Sequence, residues 1–169
     1  MKNIKRTSLI VIVLFFAAIQ LVPVSRSNPP VETEVPAPDE VKTVLKRACY
    51  DCHSNEVKWP WYSYVAPASW LVAYDVKEAR KELNFSTWNR FDAEKRNKKI
   101  KEIWEEVSEG EMPLWQYTLI HSDARLSRTD LALIQSWTGM TSNTGSALTE
   151  KNKEDHDEDE ENDHDHDKY

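Results

Sequence analysis

The 169 residues carry a formal net charge of −7, with 3 glycines, 7 tryptophans and 2 cysteines. That length holds about one domain plus appendages, and so few glycines among long charged stretches speak against a sandwich of short strands. Two cysteines cannot supply a four-cysteine zinc site, and no internal repeat is visible.

The chain opens Met1-Lys2-Asn3-Ile4-Lys5-Arg6 and then runs apolar from Leu9 to Val24, with Gln20 as the polar interruption. At ~1.5 Å per residue this run rises roughly 24 Å, short of a ~30 Å hydrocarbon core but extendable by Ile4 and snorkelling flanks. It reads as an export signal. The following Val22-Pro23-Val24-Ser25-Arg26 is a poor match to a small-residue cleavage pattern. Residues 1–24 are therefore expected to stay as a single-pass inner-membrane anchor, with Lys2, Lys5 and Arg6 inside and the rest facing the periplasm. Cleavage to a soluble periplasmic chain is the alternative. Residues 25–38, with Pro29, Pro30, Pro36 and Pro38, read as an extended, semi-rigid linker.

A folded domain is expected over 39–139. Asp39 can cap a helix through Ala48, with Val41, Val44, Leu45 and Ala48 on one face. That helix runs into Cys49-Tyr50-Asp51-Cys52-His53, the C-x-x-C-H attachment pattern of a c-type haem. Positions i, i+3 and i+4 of a helical turn share a face. Two sulfurs can therefore bond one porphyrin edge while the imidazole reaches its iron. Both cysteines of the chain sit in this motif, which leaves none for a structural disulfide. Three alternatives use the same residues. A thioredoxin-like pair needs a βαβ setting; a zinc site needs four ligands, and outside the C-terminal tail the other histidine is His121; a cysteine pair without cofactor suits any exported protein.

The loop Trp59-Pro60-Trp61-Tyr62-Ser63-Tyr64 is expected to pack in the core and help wall off a flat cofactor. A helix follows from near Pro67 to about Leu83, then a connection over 84–88. Asp92 caps the next, Ala93 to about Glu109, with Ile100, Ile103, Trp104 and Val107 as its apolar stripe; its charged faces read as ordinary solvation. Gly110 ends it. Met112, in the loop beyond and stiffened by Pro113, is the candidate second axial ligand, since a thioether there raises the potential of a histidine-bound haem iron. His121 is the rival ligand, and Met140 or an open position are further alternatives. Ser127 and Asp130 form a capping box for a last helix that presents Leu131, Ile134 and Trp137 and closes at Gly139.

Residues 140–169 form a His/Asp/Glu-rich tail. From Glu150 onward it holds 11 acidic and 3 basic residues, a net of −8, so residues 1–149 carry +1. Such a segment is expected to be disordered. His156, His164 and His166 among aspartates could hold Zn²⁺, Cu²⁺ or Ni²⁺; a solubilising tail is the simpler reading.

Blocks from Pro29 to Trp137 resemble the small bacterial haem-binding domain family related to cytochrome c. The matching stretches include Asn28-Pro29-Pro30, the Cys49–His53 motif, Trp59-Pro60-Trp61-Tyr62-Ser63, Leu83-Asn84-Phe85-Ser86, Gly110-Glu111-Met112-Pro113 and His121-Ser122-Asp123-Ala124-Arg125. The resemblance implies thioether bonds at Cys49 and Cys52, His53 as proximal ligand and Met112 as distal ligand, while His121 also lies in a matching block. The chain is thus expected to be an all-α, cytochrome c-like protein with one covalent haem c. It would act as a one-electron carrier, with membrane attachment through its N-terminal helix. Its expected partners are redox proteins of the envelope and the cytochrome c maturation machinery, with no nucleic acid and no catalytic residues. The alternatives are a haem enzyme or ligand sensor with an open sixth position, peroxidase-like or gas-binding, and an envelope metal-binding protein acting through the tail.

Overall fold

The computed structural model describes residues 2–139, and their regular structure is helical. Seven α-helices run in order: α1 Lys2–Ile19, α2 Asp39–Ala48, α3 Tyr50–His53, α4 Ala68–Glu82, α5 Ala93–Glu109, α6 Trp115–Ile120 and α7 Arg128–Thr138. Three short 3₁₀ turns join them, and an isolated bridge pairs Thr33 with Thr87. Met1 and residues 140–169 lie outside the described residues, and with them Met140 and the metal-binding reading of His156, His164 and His166.

The i, i+3, i+4, i+7 stripe of α2 is buried as the pattern requires, at Val41, Val44, Leu45 and Ala48. Asp39 does not cap it: Pro38 holds the N-cap position and Asp39 is the first helical residue, where its charge still suits the helix dipole. The other caps form at the residues named from sequence. Asp92 accepts the Lys95 N–H at 2.8 Å, Ser127 and Asp130 make the reciprocal capping box, and Gly110 and Gly139 end α5 and α7 with φ of +80° and +69°. Helix α7 packs on α5 and on α2. Arg47 of α2 reaches the Asp130 carboxylate at 2.7 Å, so the capping acid also ties two helices together. The core is one cluster built from Val41, Val44, Leu45, Tyr50, Phe85, Trp88, Ile103, Val107 and Ile134.

The expectation of a membrane anchor is corrected. Helix α1 is 18 residues long and includes Lys2, Lys5 and Arg6, so its apolar part, Leu9 to Ile19, rises about 16 Å against a hydrocarbon core near 30 Å. It ends before the apolar run does, because the Gln20 side chain turns to the domain: its Oε1 accepts the Ala66 N–H at 2.9 Å and its Nε2 donates to the Ala66 carbonyl at 3.2 Å. Among the described residues no helix is long and apolar enough to cross a membrane. The single-pass inner-membrane placement of residues 1–24, and the periplasm-facing orientation built on it, are overturned.

Residues 25–38 lie against the domain. Arg26 donates to the Ser63 carbonyl at 3.0 Å and lies over the Tyr64 ring. Asn28 Nδ2 donates to the Val57 carbonyl, the Glu32 N–H to the Ser86 carbonyl, and Glu32 pairs with Arg90. Val35 is fully buried within the main core cluster. Prolines make the stretch extended, and a single well-placed valine with backbone hydrogen bonds is enough to lay it along the domain as a strap.

Replacing Val35 by Ala should therefore lower stability by about 2 kcal/mol in urea unfolding, whereas Val31→Ala, at a side chain 45 % exposed, should change it by less than about 0.5 kcal/mol. Equal effects would show that the strap does not contribute to the core.

Candidate functional site

The five-residue motif forms a turn of its own. Helix α2 ends as the Cys49 N–H meets the Leu45 carbonyl at 2.8 Å, and Cys49 leaves helical geometry at φ −124°. Its carbonyl then accepts the N–H of Cys52 at 3.1 Å and of His53 at 2.9 Å, which starts α3 and sets the three side chains at helical spacing. The turn is seated on its far side: Tyr50 is buried and stacks on Phe85 at 5.2 Å between centroids.

His53 is fixed by the loop after α4. Its Nδ1 lies 3.1 Å from the Leu83 carbonyl, and because a carbonyl can only accept, Nδ1 carries the proton and Nε2 keeps its lone pair. The His53 carbonyl accepts the Phe85 N–H at 2.8 Å. Burial pushes the His53 pKa down, although carbonyls of Leu83 and Ala79 pull the other way, so the ring is held neutral. Both cysteines are free thiols. Burial, with the neighbouring Cys52, pushes Cys49 up to about 12, and burial with Asp51 and Asp75 pushes Cys52 up to about 11. At neutral pH they are protonated and poor thiolate ligands.

These residues line a cavity of about 600 Å³, within the range of cofactor sites. Cys49, Cys52 and His53 face it from one side, Ile103 and Val107 of α5 from another, and Met112, Pro113, Leu114 and Tyr117 close the ring. Met112 is held there by its own N–H, 3.1 Å from the Glu106 carbonyl at the end of α5. The donor set fits a haem: two thiols, an imidazole with a free Nε2 and a thioether around one largely apolar space. No group of three or more His, Cys, Asp or Glu side chains is arranged to hold a metal ion among the described residues.

His121, the rival ligand, is not brought to the cavity. Its Nε2 lies 2.8 Å from the Tyr62 hydroxyl, and its ring stacks on Tyr117 at 4.4 Å. The aromatic loop also departs from expectation. Trp61 is 77 % and Tyr64 58 % exposed, and neither lines the cavity, whose aromatic wall is Phe85 and Tyr117.

The sequence reading missed the charged wall. Lys99, Glu102 and Glu106 of α5, with Asp75, Glu78 and Glu82, line the cavity. Lys99 is 13 % exposed and bonds Glu102 at 2.7 Å. Periodicity marks which face of α5 is apolar, at Ile103 and Val107, and says nothing about which flanking charges border a cavity. A second miss is Asp51, a middle residue of the motif: it accepts the Lys58 N–H at 3.1 Å and the Tyr117 hydroxyl at 2.7 Å.

The sequence profile of a family described as "Haem-binding domain" matches residues 14–140. No curated protein and no solved structure matches the chain.

Because burial depresses the His53 pKa, the folded chain binds that proton less tightly than the unfolded chain does, with its ordinary value near 6.5. This contribution to stability is complete above about pH 6.5 and is lost as pH falls through the folded value. Urea midpoints of the ligand-free chain should rise as pH is raised toward about 6.5, and His53→Gln should flatten that rise. An equal slope in the variant would assign it to other groups.

Proposed function

The chain belongs to the haem-binding domain family, and on that premise we propose that it is a one-electron carrier with one covalently attached haem c in the cavity beside Cys49, Cys52 and His53. The observation that carries this reading is the meeting, around one cavity, of both motif cysteines, a neutral imidazole with Nε2 free and the Met112 thioether.

Each residue has a distinct task. The Cys49 and Cys52 thiols would hold the haem covalently, through thioether bonds to its edge. His53 would offer the Nε2 lone pair to the iron; its ring orientation is set by the Leu83 carbonyl, the arrangement that keeps ligating histidines in one tautomer. Met112 would hold the iron through its thioether sulfur, a donor that favours the reduced iron relative to a second histidine. Ile103, Val107 and Phe85 would keep water from the bound group. The haem supplies the Fe(II)/Fe(III) cycle, so no base or nucleophile is asked of the chain. Its redox partners and the cytochrome c maturation machinery that would attach the haem belong to the same proposal.

In the purified protein, haem should stay with the polypeptide in acid-acetone, and Cys49→Ser or Cys52→Ser should release part or all of it. The ferric form should show the long-wavelength methionine-to-iron band, lost in Met112→Ala together with a fall in reduction potential. Complete extraction from the wild type would sink covalent attachment. A high-spin, five-coordinate ferric spectrum would sink the carrier in favour of an enzyme or ligand sensor.

A further inference from the structure

The stretch that carries Met112 is tied down at both ends. At its start the N–H groups of Gly110, Glu111 and Met112 converge on the Glu106 carbonyl, the latter two at 3.0 and 3.1 Å. At its far end, one turn into α6, the Tyr117 hydroxyl donates to Asp51 Oδ2 at 2.7 Å across 66 residues of sequence. Between these anchors Met112, Pro113 and Leu114 all line the cavity.

Asp51 suits this role. It is a middle residue of the motif, so helical geometry turns it away from the face shared by Cys49, Cys52 and His53. Its second oxygen takes the Lys58 N–H at 3.1 Å, which fixes the carboxylate. Tyr117 is equally constrained: its ring lines the cavity and stacks on His121, whose Nε2 is held by the Tyr62 hydroxyl. Burial, reinforced by the bond to Asp51, pushes the Tyr117 phenol well up, so it remains a proton donor at any physiological pH. A hydrogen bond between a phenol and a carboxylate is among the stronger kind.

We infer that the Tyr117–Asp51 hydrogen bond is a latch that ties the Met112-bearing arm to the cysteine–histidine motif and governs how readily the distal side of the cavity opens to an outside ligand. Tyr117 and Asp51 are positioning residues in this account, and the inference rests on the proposed haem site. A firm latch keeps small molecules off the iron and so favours a carrier over a ligand-binding protein.

The test is the rate at which imidazole binds the ferric holoprotein in stopped flow, for wild type, Tyr117→Phe, Asp51→Ala and the double variant. Tyr117→Phe keeps the ring and removes the donor. Each single change should raise the rate by about tenfold, as loss of a charge-assisted hydrogen bond allows. The double variant should be no faster than the faster single one, because both remove the same bond. An unchanged rate in Tyr117→Phe, or effects that multiply, would overturn the latch. Lys101→Gln, which removes the exposed Lys101–Glu105 pair from residues that do not line the cavity, should leave the rate alone; an equal increase there would mean general loosening and also overturn it. Amide hydrogen exchange over residues 111–121 gives a readout independent of haem. It should quicken in Tyr117→Phe even if the protein proves to carry no haem, an outcome that refutes the haem reading alone; unaltered exchange refutes the latch.

Discussion

Residues 83 to 86 hold the motif histidine by ring and backbone at once. The Leu83 carbonyl takes the ring N–H and the Phe85 N–H binds the His53 carbonyl, so the imidazole can neither rotate nor slide along the cavity wall. This double hold needs a loop that is itself rigid, and the loop is built for that. Asn84 Oδ1 accepts the Ser86 N–H, Asn84 Nδ2 donates to Asn55 Oδ1, and the Ser86 hydroxyl accepts the Asn55 N–H, each at 2.9 to 3.0 Å. Asn84, Ser86 and Asn55 are buried, where a polar group left unpaired would be costly and a completed network is stiff. Phe85, between them, stacks under Tyr50 and alongside Trp88. The position of one ring nitrogen thus depends on a small polar network and on an aromatic stack beneath it.

The same network reaches the N-terminal strap. Asn55 Nδ2 donates to the Pro30 carbonyl, and Arg80 of α4 spreads its guanidinium over the Ser54 carbonyl, the Ser27 carbonyl and Asn28 Oδ1. The strap is therefore continuous with the support of the site, and a domain boundary drawn at residue 38 would cut through hydrogen bonds that hold the motif's own neighbours. Tyr50, Phe85 and the strap's Val35 belong to one apolar cluster, so the packing energy that orders the strap also seats the motif.

Much of this was legible in the residues, for identifiable reasons. Helical spacing in Cys49, Cys52 and His53 is a local property, as are the caps at Asp92, Ser127–Asp130, Gly110 and Gly139; each is decided by a few neighbours and each forms where the sequence put it. Features set by distant partners were not legible. Helix α6 is only six residues long, has no side-chain cap and buries none of its residues fully, so it leaves no periodic trace. Gln20 looked like a polar flaw in an apolar run, whereas its two hydrogen bonds to Ala66 lie 46 residues away. The packing of the strap left no local sign, since Val35 gains its value from a core assembled by later segments. The surroundings of Met112 and His121 were likewise beyond sequence: both are residues near helix ends, and long-range packing sets Met112 along the cavity and His121 against Tyr62.

The grip of Gln20 on Ala66 has a mechanical meaning. Helix α1 leaves the domain at a joint secured by both backbone groups of one residue, with Arg26 bracing the next turns of chain against Ser63 and Tyr64. Its side chains from Leu9 to Phe16 are exposed. A rigid lever attached at such a joint transmits angle as well as position. Whatever body takes hold of α1 also sets the direction in which the cavity faces, and a glycine at position 20 would keep the connection while losing the heading.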